Sequence, residues 1–314
     1  MTAALSAKHF HDEAAAYAFV EARLWPEGPV CPHCGGVERI GLMGGKSTRI
    51  GAYKCYQCRK PFTVKVGTIF EASHIALNLW LQAMYLIAAS KKGMSSNQLH
   101  RILGVTLKTA WFMSHRIREA MRSGDMTPFG SDGGIVEVDE TFIGHDRTIK
   151  PEGVKKGRGY AHNHKVLSLI DRNTGRQRSM VVDSLKAADI TPILKANIAA
   201  EAHVMTDEAG YYKHLDMHFA AHDFTRHGAG NYVDRENPLI HTNTIEGAFS
   251  IFKRGMKGTY QHCAKKHLHR YVAEFEFRYT NRIATGFNDA DRADAMLKGV
   301  VGKRLTYETT NRGA

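Results

Sequence analysis

No apolar run in the chain approaches the ~20 residues that a membrane helix needs. The first residues, MTAALSAKHFHDEAAAYAF, lack the basic-then-apolar pattern of a secretory signal. Both absences point away from a membrane partner and an oxidising compartment, and toward a cytoplasmic chain. Cysteine is scarce: there are five in 314 residues, four in matched pairs and Cys263 apart from them. Acidic residues are outnumbered, 31 against 43 Lys and Arg, for a formal charge of +12 and a pI of about 9.5. That surplus favours a polyanionic partner, most simply nucleic acid. No basic amphipathic anchor suggests an anionic membrane instead. A hydrophobic content of 43% supports folded cores, and the length allows two or three domains.

The cysteines are the strongest local signal. Cys31-Pro32-His33-Cys34 and Cys55-Tyr56-Gln57-Cys58 are separated by twenty residues. Each pair can hold one side of a tetrahedral ion, so the four thiolates at this spacing read as a structural Zn²⁺ site. Two disulfides are the alternative, and the expected compartment argues against them. Cys263 has no activating neighbours and reads as a partly buried thiol. Helical periodicity over 9–24, stopped by Trp25-Pro26, gives an N-terminal helix within 1–26. A glycine-rich segment with a hairpin over 53–64 makes 27–70 a zinc ribbon.

Residues 75–90 are apolar nearly all round and read as a buried helix. After it come a short helix capped by Ser95 or Ser96, a turn at Gly104, and a second helix running to about Met121. This helix-turn-helix pattern makes 71–122 a DNA-binding segment, with Arg116 and Arg118 on the second helix placed to meet phosphates. An ordinary helical hairpin is the competing interpretation. Residues 122–133 read as a linker.

Beyond the linker the period changes to that of strands. Strands are expected at 135–139, 165–171 and 177–183, the last two joined by Asn173-Thr174-Gly175. A helix at about 186–199 and a strand at 203–206 ending at Asp207 complete an α/β domain with a mixed sheet. The loop 145–164 is basic and glycine-rich, and its Lys155, Lys156 and Arg158 suit phosphate contacts. Asp139 and Asp207 end strands, and Glu137 shares a face with Asp139. In the segment 241–254, a helix capped near Asn243 or Thr244 puts Ile245, Phe249, Phe252 and Met256 on one stripe that should pack on the sheet. Glu246, Ser250, Lys253 and Lys257 fall on the adjacent polar face. Three carboxylates are the hard oxygen ligands that Mg²⁺ or Mn²⁺ requires. Two such ions about 3.5–4 Å apart stabilise the attacking and leaving oxygens of a displacement at phosphorus.

Three segments, taken together, resemble the insertion-sequence transposases of the zinc-ribbon, DDE class, the ISXO2-like group. They are Val136-Glu137-Val138-Asp139-Glu140-Thr141-Phe142-Ile143-Gly144, Met205-Thr206-Asp207-Glu208, and His241-Thr242-Asn243-Thr244-Ile245-Glu246-Gly247 with Lys253-Arg254-Gly255. The likeness runs from about residue 10 to 285. It implies an RNase H-like catalytic domain over 132–285 behind the ribbon, with 286–314 a C-terminal tail. It implies Asp139 and Asp207 as the first two catalytic acids, and Glu246 as the third with Lys253 as its basic partner. Asn243, one turn earlier, is the alternative third position or an auxiliary ligand. Glu246 is favoured because a carboxylate holds Mg²⁺ better than an amide does. Lys253 and Lys257 would lie along DNA. The implied activity is hydrolytic cleavage at element ends followed by strand transfer. The expected partner is double-stranded DNA, and the expected state on it is a homo-oligomer. The residues by themselves imply only metal-assisted phosphoryl chemistry. A DNA-binding regulator with an inactive catalytic domain and a metal-dependent nuclease are the competing functions.

Overall fold

The computed structural model describes residues 3–144, 163–226, 233–234 and 236–306. They divide into two compact units, 1–122 with 287–314, and 123–286. Positive charge is unevenly shared between them. The first unit has 21 Lys and Arg against 11 Asp and Glu, the second 22 against 20, so the first carries nearly all of the surplus. No helix among the described residues is long and apolar enough to cross a membrane.

The first unit opens with α1 (Glu13–Leu24), capped by Asp12, whose carboxylate accepts the Ala15 N–H at 2.7 Å. Strands β1 (Ile40–Leu42), β2 (Tyr53–Cys55) and β3 (Pro61–Phe62) form an antiparallel sheet in that order. Cys31, Cys55 and Phe62 make a small apolar cluster, against which Trp25, Ile40 and Tyr53 pack. A core this small does not hold a module together without a cross-link. Helices α2 (Leu77–Ala89), α3 (Ser96–Leu103) and α4 (Leu107–Met121) follow. Ser95 caps α3 and Thr106 caps α4, and between them Gly104 adopts φ +67°, which lets the first helix end within one residue. The zinc ribbon, the buried helix and the helix pair thus all form as the sequence predicts.

The second unit is built on β4 (Ile135–Ile143), β5 (His164–Asp171), β6 (Gln177–Val182), α5 (Ala187–Asn197), β7 (His203–Asp207) and β8 (Ala221–Thr225). The sheet order is β6-β5-β4-β7-β8, with β4, β5 and β6 antiparallel and β7 and β8 parallel to β4. This is the mixed sheet of the RNase H-like arrangement. Val136, Val138, Leu167 and Leu169 face one layer with Ile190 and Leu194 of α5. The other face is covered by α6 (Asn243–Gly255), a turn of π-helix at Met256–Tyr260, and α7 (Lys265–Thr280). There Ile170 meets Ile245 and Phe249, and Ile143 and Val166 meet Phe252, Met256 and Leu268. The stripe predicted for α6 is therefore the stripe that is buried. Its cap differs: helix α6 starts after Thr242, one residue before the predicted cap, and Thr242 makes no side-chain capping bond. The outer edge of β6 is closed by α7. The Gln177 and Ser179 N–H groups donate to Thr280 Oγ1 at 3.1 Å and Glu276 Oε2 at 2.8 Å. Two-residue steps along a strand match one helical turn, so a single helix satisfies the edge.

The chain then returns to the first unit. The segment after 286, expected as a tail, contains α8 (Asp289–Lys298), capped by Asn288. Met296, Leu297 and Val300 are fully buried, and Arg292 donates to the Ala88 carbonyl at 2.9 Å. Past the helix, the Ile69 N–H donates to Val300 O at 3.2 Å and the Gly302 N–H to Gly67 O at 2.8 Å. Gly299 is required there, because a Cβ would lie 2.2 Å from the Ala120 carbonyl oxygen.

Candidate metal centres and nucleic-acid surface

The four paired cysteines come together at the base of the β1–β3 sheet. Sγ of Cys31 lies 3.6 Å from that of Cys58, and Sγ of Cys34 lies 3.7 Å from that of Cys55. These separations are far beyond a disulfide bond. They match the edge of a tetrahedron, since ligands about 2.3 Å from zinc sit about 3.8 Å from one another. The Cys58 and Gln57 N–H groups point at the Cys55 sulfur and hold its thiol down at about 7. For Cys34 the Gly36 N–H favours the thiolate, but burial and the sulfurs of Cys31, Cys58 and Cys55 outweigh it and push the thiol up to about 12. Four thiols this close ionise together only when a cation shares their charge, so the residues fit Zn²⁺. Cys55→Ser is expected to lower bound zinc from one per chain to near zero and to weaken DNA binding. Metal analysis of the purified variant checks this, and an unchanged zinc content would contradict it.

The helix pair presents a different surface from the one its sequence suggests. Arg116 and Arg118, read as phosphate contacts, are 6% and 1% exposed. Arg116 donates to the carbonyls of Ile69 and Glu71, each at 2.8 Å, and of Leu305 at 3.0 Å. Arg118 donates to Ser114 Oγ at 3.0 Å. Every residue of α4 from Met113 to Arg118 is buried, so these guanidinium groups bind inside the unit and do not face a ligand. The exposed polar and basic residues lie at the turn between the helices: Gln98, Arg101, Thr106 and Lys108. The other predicted basic contacts, Lys155, Lys156 and Arg158, lie outside the described residues, while Lys253 and Lys257 are exposed beside α6.

The acids converge because of strand register. The parallel pairing of β4 with β7 sets Ile135 beside His203 and Glu137 beside Met205, and ends there. The same offset carries Asp139 to the level of Asp207. Beyond Glu137, β4 pairs only with β5, while β7 continues beside β8 to Asp207. The chain leaves β4 toward one side of the sheet and returns to β7 on the other. Asp139, expected at a strand end, lies inside β4, which runs on to Ile143; the seam is a topological switch point where the parallel pairing ends, the place where open α/β sheets hold their ligands.

At this seam one carboxylate oxygen from each of Asp139, Glu140 and Asp207 lies within 4.8 Å of the others. Burial pushes the Asp139 carboxyl up to about 8, with Glu140, Asp207 and Glu246 adding repulsion and the Glu140 N–H opposing it. Glu246, in the first turn of α6, is therefore close enough to act on Asp139 electrostatically, though outside the tight three-acid group. Asn243 is exposed, and its N–H is directed at His241 Nδ1 at 3.3 Å. Glu140 was not among the residues singled out from sequence. Tyr212 donates to its Oε2 at 2.8 Å and Tyr211 to its Oε1. Burial raises the Glu140 carboxyl and the two hydroxyls oppose that rise. A half-buried set of carboxylates repelling one another, one of them still protonated near neutral pH, suits a hard divalent cation.

Residues 133–280 match the ISXO2-like transposase domain, and residues 11–61 match the transposase zinc-ribbon domain. The chain is 28% identical over 265 residues to an uncharacterized protein in transposable element ISH50 of Halobacterium salinarum, covering 81% of this chain and 86% of that one. Among solved structures it is similar to the catalytic core domain of BIV integrase, at 12% identity and TM-score 0.29, over 45% of this chain and 81% of that one. A chain of the simian T-cell lymphotropic virus intasome in complex with the PP2A regulatory subunit B56 gamma matches at 14% identity and TM-score 0.29. That match covers 57% of this chain and 63% of the other.

Proposed function

We propose that this chain, whose two matched segments are similar to the ISXO2-like transposase and transposase zinc-ribbon domains, is a metal-dependent DNA transposase that cuts element ends and joins them to a target. The observation that carries this reading is the meeting of Asp139, Glu140 and Asp207 at the β4–β7 seam, with Glu246 near enough to act on Asp139 electrostatically. Asp139, Asp207 and Glu246 would hold Mg²⁺ or Mn²⁺, which when bound polarises the scissile phosphate and lowers the pKa of the attacking hydroxyl. Asp139, whose carboxyl is repelled by both Asp207 and Glu246, would share in holding the ion. Glu140, held by two tyrosine hydroxyls, sits beside them as a fourth acid. Lys253, exposed on the same helix as Glu246, and Lys257, exposed on the π-helical turn that follows it, would follow the DNA backbone next to the acids. In the first step water forms a bond to phosphorus as the P–O3′ bond breaks, leaving a 3′-hydroxyl and a 5′-phosphate. In the second, that 3′-oxygen bonds to a target phosphorus, gives up its proton, and displaces the target's own 3′-oxygen. The first unit, with its large positive surplus, zinc ribbon and exposed Arg101 and Lys108, would grip double-stranded DNA. Assembly on two element ends calls for more than one copy of the chain.

The test is incubation of the purified protein with Mg²⁺ or Mn²⁺ and DNA carrying the inverted repeats that flank its gene. Cleavage at the repeat ends followed by joined products supports the transposase. Cleavage without joining indicates a nuclease, and binding without cleavage indicates a regulator. In the same assay Glu246→Gln is expected to lose on the order of 10²-fold or more in rate, and Asn243→Ala less than about tenfold. The reverse order would make Asn243 the third position.

A further inference from the structure

Helix α6 brings Glu246 to the seam, yet its own N-cap residue makes no side-chain capping bond. The orphan N–H groups of its first turn are met from elsewhere. The Ile245 N–H donates to Glu137 Oε2 at 2.8 Å, and the Asn243 N–H to His241 Nδ1 at 3.3 Å. Glu137 lies on β4, two residues before Asp139 and on the same face, and it is fully buried. Its other oxygen accepts from Arg172 Nε at 2.7 Å. Arg172 follows β5 and spends its remaining donors on the approach to α6. Nη1 donates to Leu239 O at 2.6 Å, and Nη2 to His241 O at 2.6 Å and His241 Nδ1 at 2.9 Å. His241 Nδ1 therefore faces two donors and acts as the acceptor, so the ring is neutral with its hydrogen on Nε2.

From this juxtaposition we infer that Glu137 and Arg172 are positioning residues, a buried staple that fixes the first turn of α6 against β4 and so sets where Glu246 stands relative to Asp139. The inference rests on the catalytic reading given above. Ile245 immediately precedes Glu246, and Glu137 is two residues from Asp139. The path from one acid to the other therefore runs through one strand step, one hydrogen bond and one helical residue. Elsewhere α6 is held by the apolar contacts of Ile245, Phe249 and Phe252, which resist separation from the sheet but leave sliding and rotation less constrained. A directed bond from a buried carboxylate removes that freedom. Buried ion pairs contribute little net stability in general, and specifying one register is their best-attested use. A metal site needs its ligands held within about half an ångström, and this staple is the device that does so here.

The test uses full-length protein and three readouts: bound zinc, amide hydrogen exchange across 243–247, and the dissociation constant for Mn²⁺ measured by the spectrum of the free ion. Glu137→Gln keeps the side-chain volume but leaves one acceptor oxygen for two donors. It is expected to retain zinc, to lose protection across 243–247, and to weaken Mn²⁺ binding about tenfold, with DNA cleavage falling in parallel. Arg172→Lys, which keeps the charge but not the fork, is expected to fall between it and the wild type. A folded Glu137→Gln protein with wild-type exchange and Mn²⁺ affinity overturns the staple. Were that variant not to fold, Arg172→Lys decides by the same two readouts. If the wild-type protein binds no Mn²⁺ that Asp139→Asn removes, the catalytic reading fails. If it binds such an ion and Glu137→Gln leaves it untouched, only the staple fails.

Discussion

Asparagine at position 139 is expected to abolish metal-dependent DNA cleavage and, in magnesium-free buffer at pH 8, to raise the melting temperature of the protein. The two effects have one cause. Burial, reinforced by Glu140, Asp207 and Glu246, pushes the Asp139 carboxyl up to about 8, whereas in the unfolded chain it titrates near 3.9. The unfolded state releases this proton near pH 4 and the folded state keeps it until about pH 8. Folding therefore loses stability as pH rises between those values, and the loss levels off above the folded value. The side chain retains partial solvent contact, so the loss at pH 8 is about 1–3 kcal/mol rather than the full amount the shift would imply. Asparagine keeps the volume and removes the charge. The gap in melting temperature between variant and wild type should thus be small at pH 5 and widen toward pH 8, as calorimetry at the two pH values would show. Cleavage should fall on the order of 10³-fold or more, because a lost metal ligand removes several kcal/mol of transition-state stabilisation. DNA binding should persist, since the basic surplus lies in the other unit. A variant that is less stable at pH 8, or one that still cleaves, would remove Asp139 from the centre of the site.

Ending the chain at Gly286 is expected to unfold the first unit while leaving 123–286 folded, although no residue of the ribbon or the helix pair is deleted. The deletion removes Met296, Leu297 and Val300, all fully buried, at about 1.5–3 kcal/mol each. A domain's whole stability is about 5–15 kcal/mol. It also takes away the Leu305 carbonyl and the Val300 carbonyl, which bind Arg116 and the Ile69 N–H, so a buried guanidinium loses one of its acceptors. Loss of DNA binding and of exchange protection in α2 and α4, with protection in the β4–β8 sheet retained, is the expected result. Protection in α2 and α4 equal to that of the intact chain would show that the segment merely covers the unit.

Much of this molecule is legible in the chain because much of it is decided locally. Ser95, Gly104 and Thr106 bound α3 and α4 through bonds to residues a few positions away. The alternation of Ile135-Val136-Glu137-Val138 makes a strand wherever it is placed, and the stripe of Ile245, Phe249, Phe252 and Met256 identifies the buried face of α6 without reference to its partner. The cysteine pairs announce a metal because each pair is already half a site. Arg116 and Arg118 were misread for the opposite reason. Whether an arginine in a helix meets solvent depends on which carbonyls lie opposite it, and those of Ile69, Glu71 and Leu305 are distant in sequence. The segment after 286 has ordinary amphipathic composition, and nothing near it says that it closes a unit begun almost three hundred residues earlier.

The proposed catalytic acids stand between these two cases. Sequence alone set Asp207 at a strand end, Asp139 on a strand that in the structure runs on to Ile143, and Glu246 on the polar side of a helix, since period and capping need only neighbours. It did not bring them together. That required β7 to enter parallel to β4 with an offset that levels the two aspartates, Tyr211 and Tyr212 to hold Glu140 beside them, and Glu137 to catch the first turn of α6. Local periodicity fixes what each segment is. Only the register of strands and the bonds of buried side chains, which depend on partners far along the chain, fix which carboxylates come together.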